Sequence, residues 1–309
     1  MQVSSGSLKY RIDFLKYRYV MLVFSLLLLG VGVVGYFIKG GFVYDISFTG
    51  GAEIRAVFEK PVDVAQLRGI MDKMGWKNAR IQEVGKLKNE VLVIVGNEHI
   101  ENLEQNFKAA IVSAMPGNKI DIKGIQVVGG EVGDETKWNA AKAIFLSLIL
   151  ILLYIALRSE FRFGVGTVLS LVHDLLFILM FLILSGQAVS IHVLAAVLAV
   201  IGYSLNDTII IFSRIIENFK KYRGHSEYDI INFSINQTLK RTILTSVTTF
   251  FAISSIMLLG GEILRGFAMI MGLGVVVGTY SSVYIATAAM FSIGGKKVKA
   301  EDALPLTSN

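Results

Sequence analysis

Cysteine is absent from the 309 residues, so disulfides and thiolate metal sites are excluded. The four histidines, at positions 99, 173, 192 and 225, have no zinc-type spacing, and no metal is expected. Charged residues make up only 17% of the chain, below the roughly 25% usual for soluble domains. No nucleophile–base pair stands out. The "TGG" at 49–51 lacks the lysine and spacing of a phosphate-cradling loop. An enzyme is therefore not expected, nor is a cofactor. The net charge of +6 and pI near 9.3 come without a compact basic module interleaved with aromatics, so nucleic acid is not expected as a partner.

What is present is apolar sequence. Hydrophobic residues reach 53% and the mean hydropathy is +0.60. Six runs approach or exceed the roughly 20 residues that cross a bilayer as a helix: 20–38, 140–157, 164–184, 190–213, 242–259 and 266–291. The basic stretch before the first run has no small-residue cleavage site, which reads as an uncleaved transmembrane helix. Basic flanks fall on one side: Lys9, Arg11, Lys16 and Arg18; Arg158 and Arg162; Arg214 to Arg241; and Lys296, Lys297 and Lys299. The opposite turns, "SGQAVS" and "GGEILR", have no net charge. The positive-inside rule then puts both termini in the cytoplasm.

Residues 39–139 are expected outside as a folded domain. "AEIRAVFE" alternates as a strand does. Residues 63–76 carry helical spacing, two strands flank "KLKN", a helix over 98–115 ends at Pro116-Gly117, and "KIDIKGIQVVGG" closes the set. The order β-α-β-β-α-β is that of a ferredoxin-like sandwich. The expected architecture is a polytopic α-helical membrane protein, with six transmembrane helices and an α+β extracytoplasmic domain between helices 1 and 2. Its parts are an N-terminus (1–19), helix 1 (20–38), the domain (39–139), a five-helix remainder (140–291) and a cytoplasmic tail (292–309).

Two acids lie inside the apolar runs. An ionised Asp at a helix centre costs about 2.5–3.5 kcal/mol on insertion scales, so such a residue is neutralised, paired or facing water. Asp207 lies near mid-membrane in "YSLNDTIIIFSRIIENFKK". Tyr203, Ser204 and Arg214 share its face by helical spacing, and Asn206 and Thr208 flank it. Asp174 lies in "VLSLVHDLLFILMF"; the adjacent His173 points about 100° away, so the two are not expected to act as a unit. The fifth run offers a small polar face of Arg241, Thr245, Thr248, Thr249 and Ala252. The sixth carries Gly274, Gly278 and Ser282 at four-residue spacing, a candidate for close helix contact within the bundle or with a partner. From these residues alone, Asp207 is either a group that cycles between neutral and ionised forms or a protonated side chain gluing helices.

The same residues carry a resemblance. "YSLNDTIIIFSRIIENFKK", "SLVHDLLFILMF", "KRTILTSVTTFF", "GGEILRGFAMIMGLGVVVGTYSSVYIAT" and the "FTGG" at 48–51 resemble, in order and spacing, the SecF family of the Sec protein-export machinery. The family belongs to the resistance–nodulation–division class of proton-driven transporters. The resemblance implies a subunit of the bacterial inner membrane that pairs with SecD. With SecD it would work beside the SecYEG channel and SecA, using the proton gradient to assist export of an unfolded preprotein. The 309 residues include no SecD half, which implies the separate-subunit form. By resemblance, Asp207 is the proton-carrying acid of the "ND" motif, Arg241 the arginine that faces it, and Asp174 the "HD" acid; the three together are expected to form the proton relay. One departure is visible: "YDISFTGG" stands where the family often has "GIDFTGG", so Ser47 holds the usual Asp position and Asp45 lies two residues earlier. Two other readings stay open: a structural scaffold for SecD without proton conduction, and a small-molecule proton antiporter of the same superfamily.

Overall fold

The computed structural model describes residues 8–84, 89–96, 102–158 and 160–294. The expected "KLKN" turn, the start of the 98–115 helix and the basic flank at 296–299 fall wholly or partly outside them. Six helices are long and apolar enough to cross a membrane, and they overlap the six apolar runs. The first is α1 (Arg18–Lys39). Its buried residues are small ones, Ser25, Gly32 and Gly35, while its Leu, Val and Phe side chains face outward. A Cβ added at Gly32 would stand 2.5 Å from Met180, and one at Gly35 would stand 2.8 Å from Leu184. The two glycines thus let α1 lean on a neighbouring helix, the usual device where lipid supplies no hydrophobic drive.

The chain then enters the domain. Asp45 caps the single turn α2 (Ile46–Thr49), its Oδ1 accepting from the Ile46 amide at 2.6 Å and its Oδ2 from the Ser47 hydroxyl at 3.2 Å. Gly50 and Gly51 follow at φ of 68° and 121°; a Cβ at Gly51 would stand 2.3 Å from the Val95 carbonyl oxygen. The elements are β1 (Gly51–Phe58), α3 (Val64–Lys73), β2 (Arg80–Val84), β3 (Glu90–Val95), α4 (Leu103–Ala114) and β4 (Ile120–Val128). All neighbours in the β2-β3-β1-β4 sheet are antiparallel, which is the split βαβ arrangement. Period-two alternation points Ala52, Ile54, Ala56 and Phe58 at a core shared with Leu67, Met71, Phe107 and Ile111. The β4 edge carries a register shift opposite Arg55/Ala56 together with Lys119, Asp121 and Lys123, which discourages strand addition there.

The remaining elements are α5 (Gly130–Arg158), α6 (Phe161–Ser185), α7 (Ile191–Lys221), α8 (Glu227–Leu259) and α9 (Gly261–Ser281). A π-helical turn (Ser282–Ala286) follows, and α10 (Thr287–Gly294) continues the sixth span. Much of α6, α7 and the sixth span is buried, whereas α1, α5 and α8 lie at the periphery. The domain is braced to the bundle at two places. The strand-like linker pairs with the α6–α7 turn through Val189 N to Val43 O (2.7 Å) and Asp45 N to Val189 O (3.0 Å). The first turn of α5 rests on α2, where a Cβ at Gly133 would stand 2.6 Å from the Gly50 nitrogen. On the opposite, basic side, Arg162 at the start of α6 bonds Glu227 at the start of α8 at 2.5 Å.

Candidate functional site

The polar residues of the spans converge where α6, α7, α8 and the sixth span cross. Gly274 and Gly278 create that crossing. A Cβ at Gly274 would stand 2.2 Å from a Val200 methyl, and one at Gly278 would stand 2.9 Å from the Ser204 Cβ. The small-residue face of the sixth span therefore packs against α7 inside this chain. Ser282, the third member of that face, is fully buried and lies 2.8 Å from the Thr208 hydroxyl.

Asp207 is buried between α7, α8 and α9. One carboxylate oxygen, Oδ2, accepts from the Ser246 hydroxyl at 3.5 Å, a long contact. The other, Oδ1, is buried without a hydrogen-bond partner among the described residues. Ser246 also lies 2.6 Å from the Thr279 hydroxyl and 2.8 Å from the Thr242 carbonyl, so its single proton has three competing acceptors. The Tyr203 hydroxyl and the Thr242 Oγ1 are buried without a partner as well. A charged carboxylate so poorly bonded in an apolar bundle is costly, and a carboxylic acid much less so. The arrangement is one of low polar satisfaction: an acid surrounded by hydroxyls that can reorient.

Asp174 sits in a better-bonded place. Its Oδ2 accepts from the Ser204 hydroxyl at 2.6 Å and its Oδ1 lies 3.2 Å from His173 Nδ1. This corrects the expectation that the two neighbours act apart: the imidazole bends back so that Nδ1 meets the adjacent carboxylate, which the direction of the Cα–Cβ bonds alone does not reveal. His173 Nε2 is 3.0 Å from Ser25 Oγ on α1, and Ser25 is 2.9 Å from the Tyr280 hydroxyl.

Arg241 is exposed at the start of the polar face of α8 and pairs with no acid among the described residues. Thr245 is half-buried and bonds back to the Arg241 and Thr242 carbonyls; Thr248 is exposed. Asn206 is exposed on α7. Arg214 turns away to Glu217 and Gln237, each at 2.6 Å. The buried stripe of α8 is Thr238, Thr242, Ser246 and Ile253, one position round from the face with the most obvious polar letters. Ser246 and Thr279 went unnoticed in the sequence because a single hydroxyl in an apolar helix is common. Three consecutive residues of the sixth span had a clearer signal in "TYSS": Tyr280 reaches α1, Ser281 bonds Ser170 on α6 at 3.0 Å, and Ser282 meets Thr208 on α7. They lead into the π-helical turn, a geometry frequent at functional sites.

The model of the protein export membrane protein SecD/SecF C-terminal region matches residues 107–296. The protein translocase subunit SecF of Gemmatimonas aurantiaca is 37% identical over 299 residues, covering 94% of this chain and 90% of that one. The chain belongs to the SecF family of protein translocase subunits. The SecF of Pseudomonas aeruginosa, also 37% identical, covers 95% of this chain and is itself covered to 94%. The crystal structure of SecDF, a translocon-associated membrane protein from Thermus thermophilus, superposes with a TM-score of 0.84 at 34% identity over 94% of this chain. The SecDF structure in its super-membrane-facing form gives a TM-score of 0.67 at 34% identity over 95% of this chain. The chain spans about two fifths of those SecDF chains, 39% and 40%.

Proposed function

We propose that this SecF-family subunit works with a SecD partner to couple proton movement to preprotein export beside the SecYEG channel and SecA, with Asp207 as the group that takes up and gives back the proton. The observation that carries the reading is the buried Asp207 carboxyl, with one bare oxygen and one long hydrogen bond to a hydroxyl pair that bridges α8 and α9. Such an acid responds strongly to any approaching cation, and Arg241, exposed and without an acidic partner among the described residues, is the candidate. One proton crossing the potential releases about 2.3 kcal/mol per 100 mV, enough to bias two packings of a bundle. The reading assigns the chain no covalent chemistry and places both termini in the cytoplasm of an inner (plasma) membrane.

The partner follows from the same physics. Asn206, Arg241 and Thr248 are exposed on α7 and α8 within candidate spans. Polar groups at membrane depth face protein or water rather than lipid. A second helix bundle covering α7 and α8 meets that requirement, and the solved relatives are SecDF chains. The test is export into inverted vesicles containing this chain and SecD under an imposed proton gradient. Asp207→Asn is expected to keep SecD and lose the gradient-dependent gain. Retention of the gain would refute the proton role, and failure to hold SecD would favour the scaffold reading.

A further inference from the structure

A line of hydrogen bonds crosses the bundle from α7 to α1, and its polarity can be worked out from one end. The Met21 carbonyl can only accept. It takes the single hydroxyl proton of Tyr280 at 2.8 Å. The Tyr280 oxygen must then accept from Ser25 Oγ, 2.9 Å away, and the Ser25 oxygen must accept from His173 Nε2 at 3.0 Å. Nε2 therefore carries a hydrogen. At the other end Ser204 donates its hydroxyl proton to Asp174 Oδ2. What is left is His173 Nδ1 facing Asp174 Oδ1 across 3.2 Å. With no proton between them, two lone pairs would oppose each other in a buried place. With one proton the contact is a hydrogen bond, whether the pair is written as imidazole and carboxylic acid or as imidazolium and carboxylate.

We infer that His173 and Asp174 form a proton-binding site separate from Asp207, which holds one proton between Nδ1 and Oδ1 while the Met21 carbonyl fixes the Nε2–H tautomer. Both residues are buried. The imidazole lies against Phe177 and Tyr280, with ring centroids at 4.6 and 5.8 Å, so it cannot swing freely, and the aromatic faces tolerate the cationic form. The ionisable groups facing the pair are Tyr280 on α9 and, next to it, Tyr284; Asp207 lies one turn from Ser204 on α7. α1 brings the Ser25 hydroxyl and the Met21 carbonyl to the line, and among the described residues neither α5 nor α10 adds an ionisable side chain to it. When the proton leaves to an outside base, the pair carries one net negative charge and the Nδ1–Oδ1 contact is lost, while the bonds from α6 to Ser25 and Ser204 stay in place. Ser204 connects this event to the other acid, because its carbonyl lies 3.3 and 3.4 Å from the mutually bonded hydroxyls of Thr208 and Ser282, one of which can donate to it; they are the neighbours of Asp207 and of the π-helical turn.

The test is nitrogen NMR of the full chain in lipid bilayers, with ¹⁵N-labelled histidine and His173 assigned by its loss in His173→Gln. In the native chain His173 is expected to keep a protonated Nε2 throughout, while the Nδ1 signal moves from protonated to bare between acidic and alkaline pH. Asp174→Asn supplies an amide donor to Nδ1 in place of the shared proton, so its His173 should stay neutral and stop responding to pH. A native His173 with bare Nε2, or one that titrates identically in Asp174→Asn, would overturn the inference. Asp207→Asn should leave the His173 signals in place, so failure of the Asp207 reading and failure of this one are told apart.

Discussion

Gly274 is the position where a one-carbon change has the most calculable consequence. In Gly274→Ala the new methyl would lie 2.2 and 2.5 Å from the two Val200 methyls and 2.9 Å from its Cβ. Comfortable carbon–carbon contact is about 3.5–4.0 Å. Val200 cannot rotate aside, because valine in a helix has essentially one χ1 rotamer. The sixth span must therefore move from α7 by about 1 Å, an overpacking cost of about 1–3 kcal/mol. The same shift stretches the Thr208–Ser282 bond (2.8 Å), which joins the sixth span to α7, beyond useful length. Buried hydrogen bonds between membrane helices average about 0.6 kcal/mol each. The sum, about 2–4 kcal/mol, is roughly a 30- to 700-fold change in the unfolding equilibrium at 1.4 kcal/mol per tenfold. Reversible unfolding in bicelles reads this directly. Val200→Ala combined with Gly274→Ala should recover at least half of the loss, because the space returns from the other side. An unchanged Gly274→Ala, or a loss that Val200→Ala does not relieve, would refute the claim that this small-residue face packs within the chain.

Three further outcomes follow from other parts of the molecule. Burial raises the Glu53 carboxyl above its ordinary range, with Asp45 adding to the effect and Arg55 opposing it. A raised carboxyl contributes stability that is present below its unfolded value and lost as pH rises through its folded value. Glu53→Gln should therefore raise the thermal midpoint of the domain at pH 7 and leave it unchanged near pH 4. Asp13 ties the arm before α1 to α8, accepting from Tyr228 (2.6 Å) and Asn232 (3.0 Å), so Asp13→Ala should speed amide exchange over residues 8–17 at least tenfold, for a loss of about 1–3 kcal/mol. Ser246→Ala removes the hydrogen bond that the Asp207 side chain receives among the described residues; gradient-driven export should fall only a few-fold, measured in the same vesicles as Asp207→Asn, because the hydroxyl positions the acid and does not carry the proton.

The helices and the domain were legible because each element has a strong local signal. Six apolar runs need no tertiary information, and the domain's strands alternate while its helices end at Gly75 and Gly117, both in the left-handed region. The buried acids were equally visible, since an Asp among Ile and Leu is conspicuous. Their partners were not. Thr242 and Ser246 lie 100° round α8 from the more polar-looking Arg241 face, and which stripe turns inward depends on how α8 packs on its neighbours, which local sequence does not encode. The His173–Asp174 contact depends on a ring rotamer, which the i, i+1 geometry of backbone and Cβ does not encode. The departure at Ser47 becomes intelligible only in three dimensions: Asp45 and Ser47 bond to each other at the start of α2.

The central claim is that Asp207 changes protonation as the bundle rearranges. Difference infrared spectroscopy of the chain bound to SecD, comparing native with Asp207→Asn, observes this directly through the C=O stretch of a protonated carboxyl group. The account predicts a band that vanishes in Asp207→Asn, is present at acidic pH, and is lost when the pH rises or a gradient is imposed. A band that persists unchanged under every condition would contradict it.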